Sequence, residues 1–459
     1  MTIRALAAAS SLALMLAIGG AGSAQAQSIA QALTAAYEHA PDLQSALLAA
    51  KSSAEDIVRA EAGKRPTIGA SLGGNYQWQA GNQTALNPTG AFVGSSTFNA
   101  GLSYQQNVFD NFRTEAQIEA ARAGAEAAEY QIRNTEQNIL LDVVEAYMDV
   151  LSGRELVSLR QANITFFRAQ LQSSEDRLEV GEGTRIDVAQ AEARLAQGEA
   201  AYRAALAALE VSQATYQRFV GAAPGNLTPG HNFERLIPST LQAALAEAET
   251  GHPAILLSKA AIRAAQASSD AAQAAFGPSA SVSGQVGTSY SSSTGPGGIS
   301  GSLGFQVTVP IYAGGALGAG VRKANLEQIR SEVDAMSAYD QVRAAVISAW
   351  SGIQSAEAQI TAARAAVSAG QEVLEGVIQE RDLGTRTTLE VLNSQAELTS
   401  AREGLINAST GKVVATFSLL AAMGRLTAAD LGLPVTIKTA VPYTQTVEDV
   451  WQELRTVAD

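Results

Sequence analysis

The chain has 459 residues, a formal net charge of −13, three His and no Cys. The missing Cys excludes a disulfide framework, a thiolate metal site and a lipid-bearing cysteine, and three His leave little for a metal centre or a His-based triad. Net negative charge without any Lys/Arg-rich run argues against a nucleic-acid binder, and 5% aromatic residues fit long Ala-rich helices packed side by side better than several ordinary cores.

The first element is an export signal. Arg4 precedes an apolar stretch from Ala5 to Ala21, and Ala24, Gln25 and Ala26 supply a cleavage site. Residues 1–26 therefore read as a secretory signal, whose removal takes the charge of Arg4 and leaves −14 (−13 minus one). No later stretch approaches about 20 continuous apolar residues, so any membrane crossing is expected from strands.

Paired strands follow, at about 66–78 and 98–109. In the first, Ile68, Ala70, Leu72, Tyr76 and Trp78 alternate with Thr67, Gly69, Ser71, Asn75 and Gln77. In the second, Phe98, Ala100, Leu102 and Tyr104 alternate with Asn99, Gly101, Ser103 and Gln105. This is period two, with a polar face almost free of charge and aromatic residues towards the strand ends, as in a membrane strand. A soluble sheet packed on helices would need an apolar partner that the pattern does not supply. Four strands per chain cannot close a barrel, because the smallest membrane barrels use about eight, and open edges are forbidden in lipid. Several chains must then share one barrel.

A helical hairpin comes next, at about 111–220. Its first arm would be roughly 100 Å long at the α-helical rise. Ile118, Ala121, Ala125, Ala128, Ile132 and Ile139 recur at three- and four-residue spacing, which is coiled-coil-like. Acidic residues along the arm, such as Asp142, Glu145, Glu175, Asp176 and Glu179, read as solvated faces without a convergent His, so no enzyme is expected. No cofactor is expected either.

The pattern then repeats. Pro41 and Pro66 recur as Pro253 and Pro278, shifted by 212, while Phe109, Gly181, Thr184, Val188 and Gly221 recur as Tyr312, Gly384, Thr387, Val391 and Gly424, shifted by 203. The loop between the second pair of strands is thus about nine residues shorter. Residues 27–230 form repeat 1 and 231–425 repeat 2, the latter with strands at about 279–290 and 299–312 and a hairpin at about 315–422. Residues 426–459 form a C-terminal tail.

The two hairpin turns carry the sharpest signal. The first runs Val180-Gly181-Glu182-Gly183-Thr184-Arg185-Ile186-Asp187-Val188, and the second Leu383-Gly384-Thr385-Arg386-Thr387-Thr388-Leu389-Glu390-Val391. Gly181 and Gly384 can end a helix in the left-handed region, and Thr184 with Asp187, and Thr387 with Glu390, match a capping box. Capping alone would account for both acids.

A signal, two strand-pair and hairpin repeats, and these paired turns resemble the TolC family of outer-membrane channel proteins. The strand ends Val108-Phe109-Asp110 and Val309-Pro310-Ile311-Tyr312 are similar to that family's strand-to-helix junction. The tail from Leu426 to Val435, with Val450 and Trp451, resembles the branch serving type I secretion, and the absent lipid-bearing Cys separates the chain from the lipoprotein drug-efflux branch. The resemblance implies an α+β membrane protein: a homotrimer with a twelve-stranded barrel in the outer membrane, continued by a periplasmic α-helical barrel closed at the two turns.

It further implies an exit duct for proteins or small toxic compounds, with outer-membrane lipid, a periplasmic adaptor and an inner-membrane ABC transporter or proton-driven pump as partners. Asp187 and Arg386 fall at the latch positions, and the aromatic gate position is Arg381. The acidic constriction ring falls at Glu390 and Asn393, so one acid is lost. The adaptor-contacting turn positions are Val180, Gly181, Thr184, Leu383, Gly384 and Thr387. A periplasmic coiled-coil adaptor or structural protein is the alternative, since the hairpins alone would suffice for it.

Overall fold

The computed structural model describes residues 27–80, 92–230, 232–448, 450–453 and 455. The export signal at 1–26, most of the first strand-to-strand loop, His231 and the last residues of the tail lie outside the described residues. In chain order the elements are α1 (Ile29–His39), α2 (Pro41–Glu61), β1 (Thr67–Ala80), β2 (Phe92–Phe109), α3 (Arg113–Glu179) and α4 (Arg185–Val220). The second half has α5 (Leu241–Gly251), α6 (Pro253–Ala274), β3 (Ser279–Ser291), β4 (Ser300–Thr308), α7 (Ala316–Asp382), α8 (Thr388–Ala422) and α9 (Val441–Glu448). The short segment Gly295–Pro296 pairs with the tip of β3.

The duplication is visible element by element. Pro41 and Pro253 open α2 and α6, where a residue without an N–H leaves no helical donor unpaired. The long arms α3 and α7 both contain 67 residues and begin 203 positions apart. Between strand and arm, each repeat turns through two consecutive left-handed residues: Asn111 and Phe112 (φ 58° and 66°) in repeat 1, Gly314 and Gly315 (φ 62° and 85°) in repeat 2. Glycine takes that conformation freely, whereas a bulky residue is strained there.

The described residues divide into two compact units. One comprises 27–45, 133–253 and 339–438. In it α1, started by a capping box of Ser28 and Gln31, packs on α4. Tyr147 lies fully buried there and its hydroxyl accepts from the N–H of Thr228 at 2.8 Å. The carboxylate of Glu136, also buried, accepts from the N–H of Ala428 at 2.6 Å, which ties the start of the tail to α3. By length and composition α8 could cross a membrane, with a mean hydropathy of 1.3 over its most apolar window. Its apolar residues Leu392, Leu398, Phe417, Leu419 and Leu420 are buried within the unit, so they serve packing.

The other unit comprises 46–132, 254–338 and 439–455 and holds the sheet. The strands run antiparallel in the order β1–β2–β3–β4. Register places Ile68 opposite Tyr104, Leu72 opposite Ala100, Leu102 opposite Val286, and Val282 opposite Phe305. Residues directly opposite share a face. One face of all four strands is therefore apolar, and the other is Ser, Thr, Gly, Asn and Gln. The apolar face is uncovered: Leu72 is 87% exposed and Leu303 83%. Among the described residues nothing pairs with the outer edges of β1 and β4.

Strand lengths differ from the expected ones. β4 stops at Thr308 where the alternation suggested a strand to 312, because Pro310 has no N–H for the ladder. β2 begins at Phe92 rather than 98, since its Ser- and Thr-rich start still pairs with β1. A register shift between Asn107 and Phe109 inserts Val108 as a bulge before the turn into α3.

Candidate functional site: the two hairpin turns

Both turns belong to the first unit. α3 ends in a tight turn in which the N–H of Gly181 bonds the carbonyl of Leu178 at 3.1 Å, with Gly181 at φ 81°. In the second turn, Gly384 (φ 80°) donates to the carbonyl of Arg381 at 2.8 Å. The next helix begins with a capping box in each case. Thr184 accepts from the N–H of Asp187 at 3.2 Å, and the Asp187 carboxylate accepts from the N–H of Thr184 at 3.1 Å. Thr387 and Glu390 reproduce this at 3.3 and 2.8 Å. Each acid also lies at the positive end of its helix dipole.

The second turn carries an ion-pair network that the first lacks among the described residues. Arg386 donates from Nε to Glu380 and from Nη1 to Glu390, both at 2.7 Å. Its own pKa rises, first through the bond to Glu380 and then through Glu390. The Glu390 carboxyl is held down at about 2, first by the Thr387 N–H and then by Arg386. Within one chain, then, the two positions expected to form a latch have separate partners: Asp187 bonds Thr184, and Arg386 bonds Glu380 and Glu390.

Arg381 is buried at the junction of the hairpins. Its Nη1 donates to Gln170 on α3 at 2.6 Å, and its Nε and Nη2 donate to Asp382 at 3.0 and 2.7 Å. A guanidinium, where the resemblance leads one to expect an aromatic gate, thus ties the second hairpin to the first. Asn393 accepts from Arg194 at 2.7 Å, a cross-link from α8 to α4. Deeper in, the buried Gln395 donates to Asn163 at 3.0 Å, and Thr399 donates to the same oxygen at 3.3 Å. Apolar clusters brace this layer: Phe167, Ala191 and Leu392 in one, Leu374, Val391 and Leu398 in the other.

The remaining turn positions face outward. Val180 and Leu383 are 72% and 82% exposed, so each turn presents an apolar tip. Sequence reasoning missed Gln170, Arg194 and Glu380. Glu380 had a local signal, six residues before Arg386. Gln170 and Arg194 had none, because their partners lie about 200 residues away.

Comparison with known proteins agrees with this architecture. The family model described as "Outer membrane efflux protein" matches residues 32–222 and 244–425, one segment per repeat. The outer membrane efflux protein BepC of Brucella suis biovar 1 (strain 1330) is 37% identical over 439 residues, covering 94% of this chain and 93% of BepC. The outer membrane protein TolC of Escherichia coli (strain K12) is 26% identical over 426 residues, covering 89% and 84%. The crystal structure of the CmeC outer membrane channel of Campylobacter jejuni superposes with a TM-score of 0.73 at 17% identity, covering 86% and 85%, which is a likeness of fold. The chain belongs to the outer membrane efflux protein family, and it is an outer-membrane protein of the TolC kind. Family membership favours the channel over the periplasmic adaptor, the other reading that the hairpins allowed.

Proposed function

We propose that the protein is the outer-membrane exit duct of a tripartite export system, working as a homotrimer. The observation that carries this is the sheet. Four antiparallel strands have one continuous, uncovered apolar face and two bare edges. In lipid every backbone N–H and C=O needs a partner, so the sheet must be closed by other copies. Three chains would give a twelve-stranded barrel with the uncharged polar face lining the lumen. The long arms α3 and α7, each roughly 100 Å at the helical rise, are suited to continuing the duct through the periplasm.

The cargo would come from an inner-membrane ABC transporter or proton-driven pump through a periplasmic adaptor. The apolar turn tips at Val180 and Leu383 are suited to receiving that adaptor. Similarity to the outer membrane efflux protein BepC supports efflux, while the tail resemblance supports protein secretion, and one duct can serve both. No chemical step is involved. Opening is a shift between two packings of the hairpins, biased by the adaptor. In the trimer Asp187 and Arg386 latch the tip, with Arg386 exchanging its intrachain acids for an acid of the next copy. Glu390 and Asn393 would sit at the constriction.

Outer-membrane fractions run without boiling should show an oligomer that collapses to the monomer on heating. The purified protein should form channels in a planar bilayer, and Asp187→Ala or Arg386→Ala should raise their conductance. A monomer that stays soluble after extraction of the cells would overturn the duct; unchanged conductance in both variants would remove the latch alone.

A further inference from the structure

The two strand-to-helix junctions are related by the repeat but differ in chemistry. In repeat 1, Lys64, Gln106, Phe109, Asp110, Phe112 and Glu115 are among the residues that line a cavity of about 240 Å³. Lys64 pairs with Glu115 at 3.2 Å, and both side chains are about half exposed (48% and 49%). In repeat 2 the corresponding residues are Phe276 for Lys64, Ala313 for Asp110, Leu317 for Thr114 and Gly318 for Glu115. That junction has no charge at these positions.

The cavity lies at the end of β2, and two of its lining residues belong to the apolar face of the sheet. Gln106 stands opposite Val282 and Phe109 opposite Ala280, so both belong to the apolar face, and Gln106 also donates to the carbonyl of Lys64 at 3.3 Å. Phe109 and Phe112 meet edge to face at 6.0 Å, and Phe112 is 68% exposed. Repeat 2 makes the same left-handed turn with two glycines, at no steric cost. Repeat 1 keeps a strained phenylalanine, held because the Asn111 side chain bonds the carbonyl of Ala274 at 3.1 Å and fills the space beside Gly277. Backbone strain of this kind persists where the displayed side chain has a use.

We propose that the repeat 1 junction holds the headgroup of a zwitterionic phospholipid from the periplasmic leaflet. Its phosphate lies on Lys64, its ammonium on Glu115, and its acyl chains run along Phe109 and Phe112. The charge pattern selects the ligand. A Lys–Glu pair accepts an ammonium–phosphate zwitterion lying antiparallel to it, while an anionic headgroup gains at Lys64 and is repelled at Glu115 and Asp110. This rests on the reading of the sheet as part of an outer-membrane barrel.

The test is native mass spectrometry of the delipidated full-length oligomer, transferred into micelles doped with phosphatidylethanolamine or phosphatidylglycerol. The wild type should retain phosphatidylethanolamine preferentially, one molecule per subunit. Lys64→Gln combined with Glu115→Gln should lower that retention about fivefold, the scale of one exposed charge pair, and abolish the preference. Phe112→Gly, which copies Gly315, should lower retention of both lipids and raise the melting temperature of the lipid-free protein by relieving the turn. Equal retention by wild type and double variant, or a preference for phosphatidylglycerol, would overturn the proposal. So would loss of the oligomer with lipid retention intact, which would make the junction a contact between subunits. Failure of the wild type to run as a heat-modifiable oligomer would instead strike the barrel reading, before any lipid is added.

Discussion

The two hairpins have long arms of equal length and tips of unequal chemistry. Arg381, buried against Gln170, stands where the first repeat has Leu178, and the second turn adds the Glu380–Arg386–Glu390 network. The same asymmetry runs through the far ends of the hairpins. Gly221 and Gly424 both end their hairpins in the left-handed region, φ 81° and 80°. A side chain at Gly221 would meet the ring of His39, which can swing aside; one at Gly424 would meet the Cα of His252 at 2.8 Å, which cannot. Repetition fixed the helix lengths and cap geometry in both copies. Charge and close packing then diverged, so that the second hairpin is the one tied down.

The comparison can be broken most directly at the glycines. Gly424→Ala should destabilise the protein by about 2–3 kcal/mol and Gly221→Ala by about 1 kcal/mol, read from thermal unfolding followed by circular dichroism. Equal losses would mean that the two ends are held alike. The next largest effect is expected at the tip. Arg381→Leu, which copies repeat 1, leaves the buried Gln170 carbonyl without its donor and should cost about 1–2 kcal/mol. It should also make the second hairpin easier to cleave by protease, while Leu178→Ala leaves that cleavage unchanged.

The smallest effects belong to the caps. Thr184→Ala and Thr387→Ala should each cost about 1 kcal/mol. The second cap is also sensitive to pH. The Glu390 carboxyl sits at about 2, below its ordinary value, because the folded state favours the charged form. Its stabilisation is therefore complete above the ordinary carboxylate range, declines as pH falls below it, and is gone below about 2. A carboxyl ¹³C titration of labelled protein should place the Glu390 midpoint near 2. Thr387→Ala should raise it, since the Thr387 bonds are among its causes. A midpoint already in the ordinary range would show that the turn network does not form.

What the sequence made legible was local. Period-two alternation marked the apolar sheet face from Ile68 to Val307, because register simply carries each strand's pattern across to its neighbour. Thr184 and Asp187, like Thr387 and Glu390, announced their capping boxes because both partners lie within one helical turn. Interactions between distant segments left no such trace. Nothing near Arg381 points to Gln170, 211 residues earlier, and nothing near Asn393 points to Arg194, 199 residues earlier. The latch reading drew on resemblance alone. In the chain itself, Arg386 is occupied by acids six residues before it and four after it. The strained Phe112 was equally hidden, since a phenylalanine does not announce a left-handed turn as an asparagine or the two glycines of repeat 2 can.

In the proposed trimer, the edges of β1 and β4, which nothing pairs with among the described residues, would make completion of the fold a collective event. A subunit of such a barrel could not satisfy its own outer strands, so its last backbone hydrogen bonds would wait on the arrival of neighbours, and the yield of finished barrels would depend steeply on how many copies are exported together. A copy whose edge is spoiled, for instance by a proline in the middle of β1, would disable every assembly it entered. Expressed beside the normal gene, such a copy should act as a dominant poison rather than a silent loss.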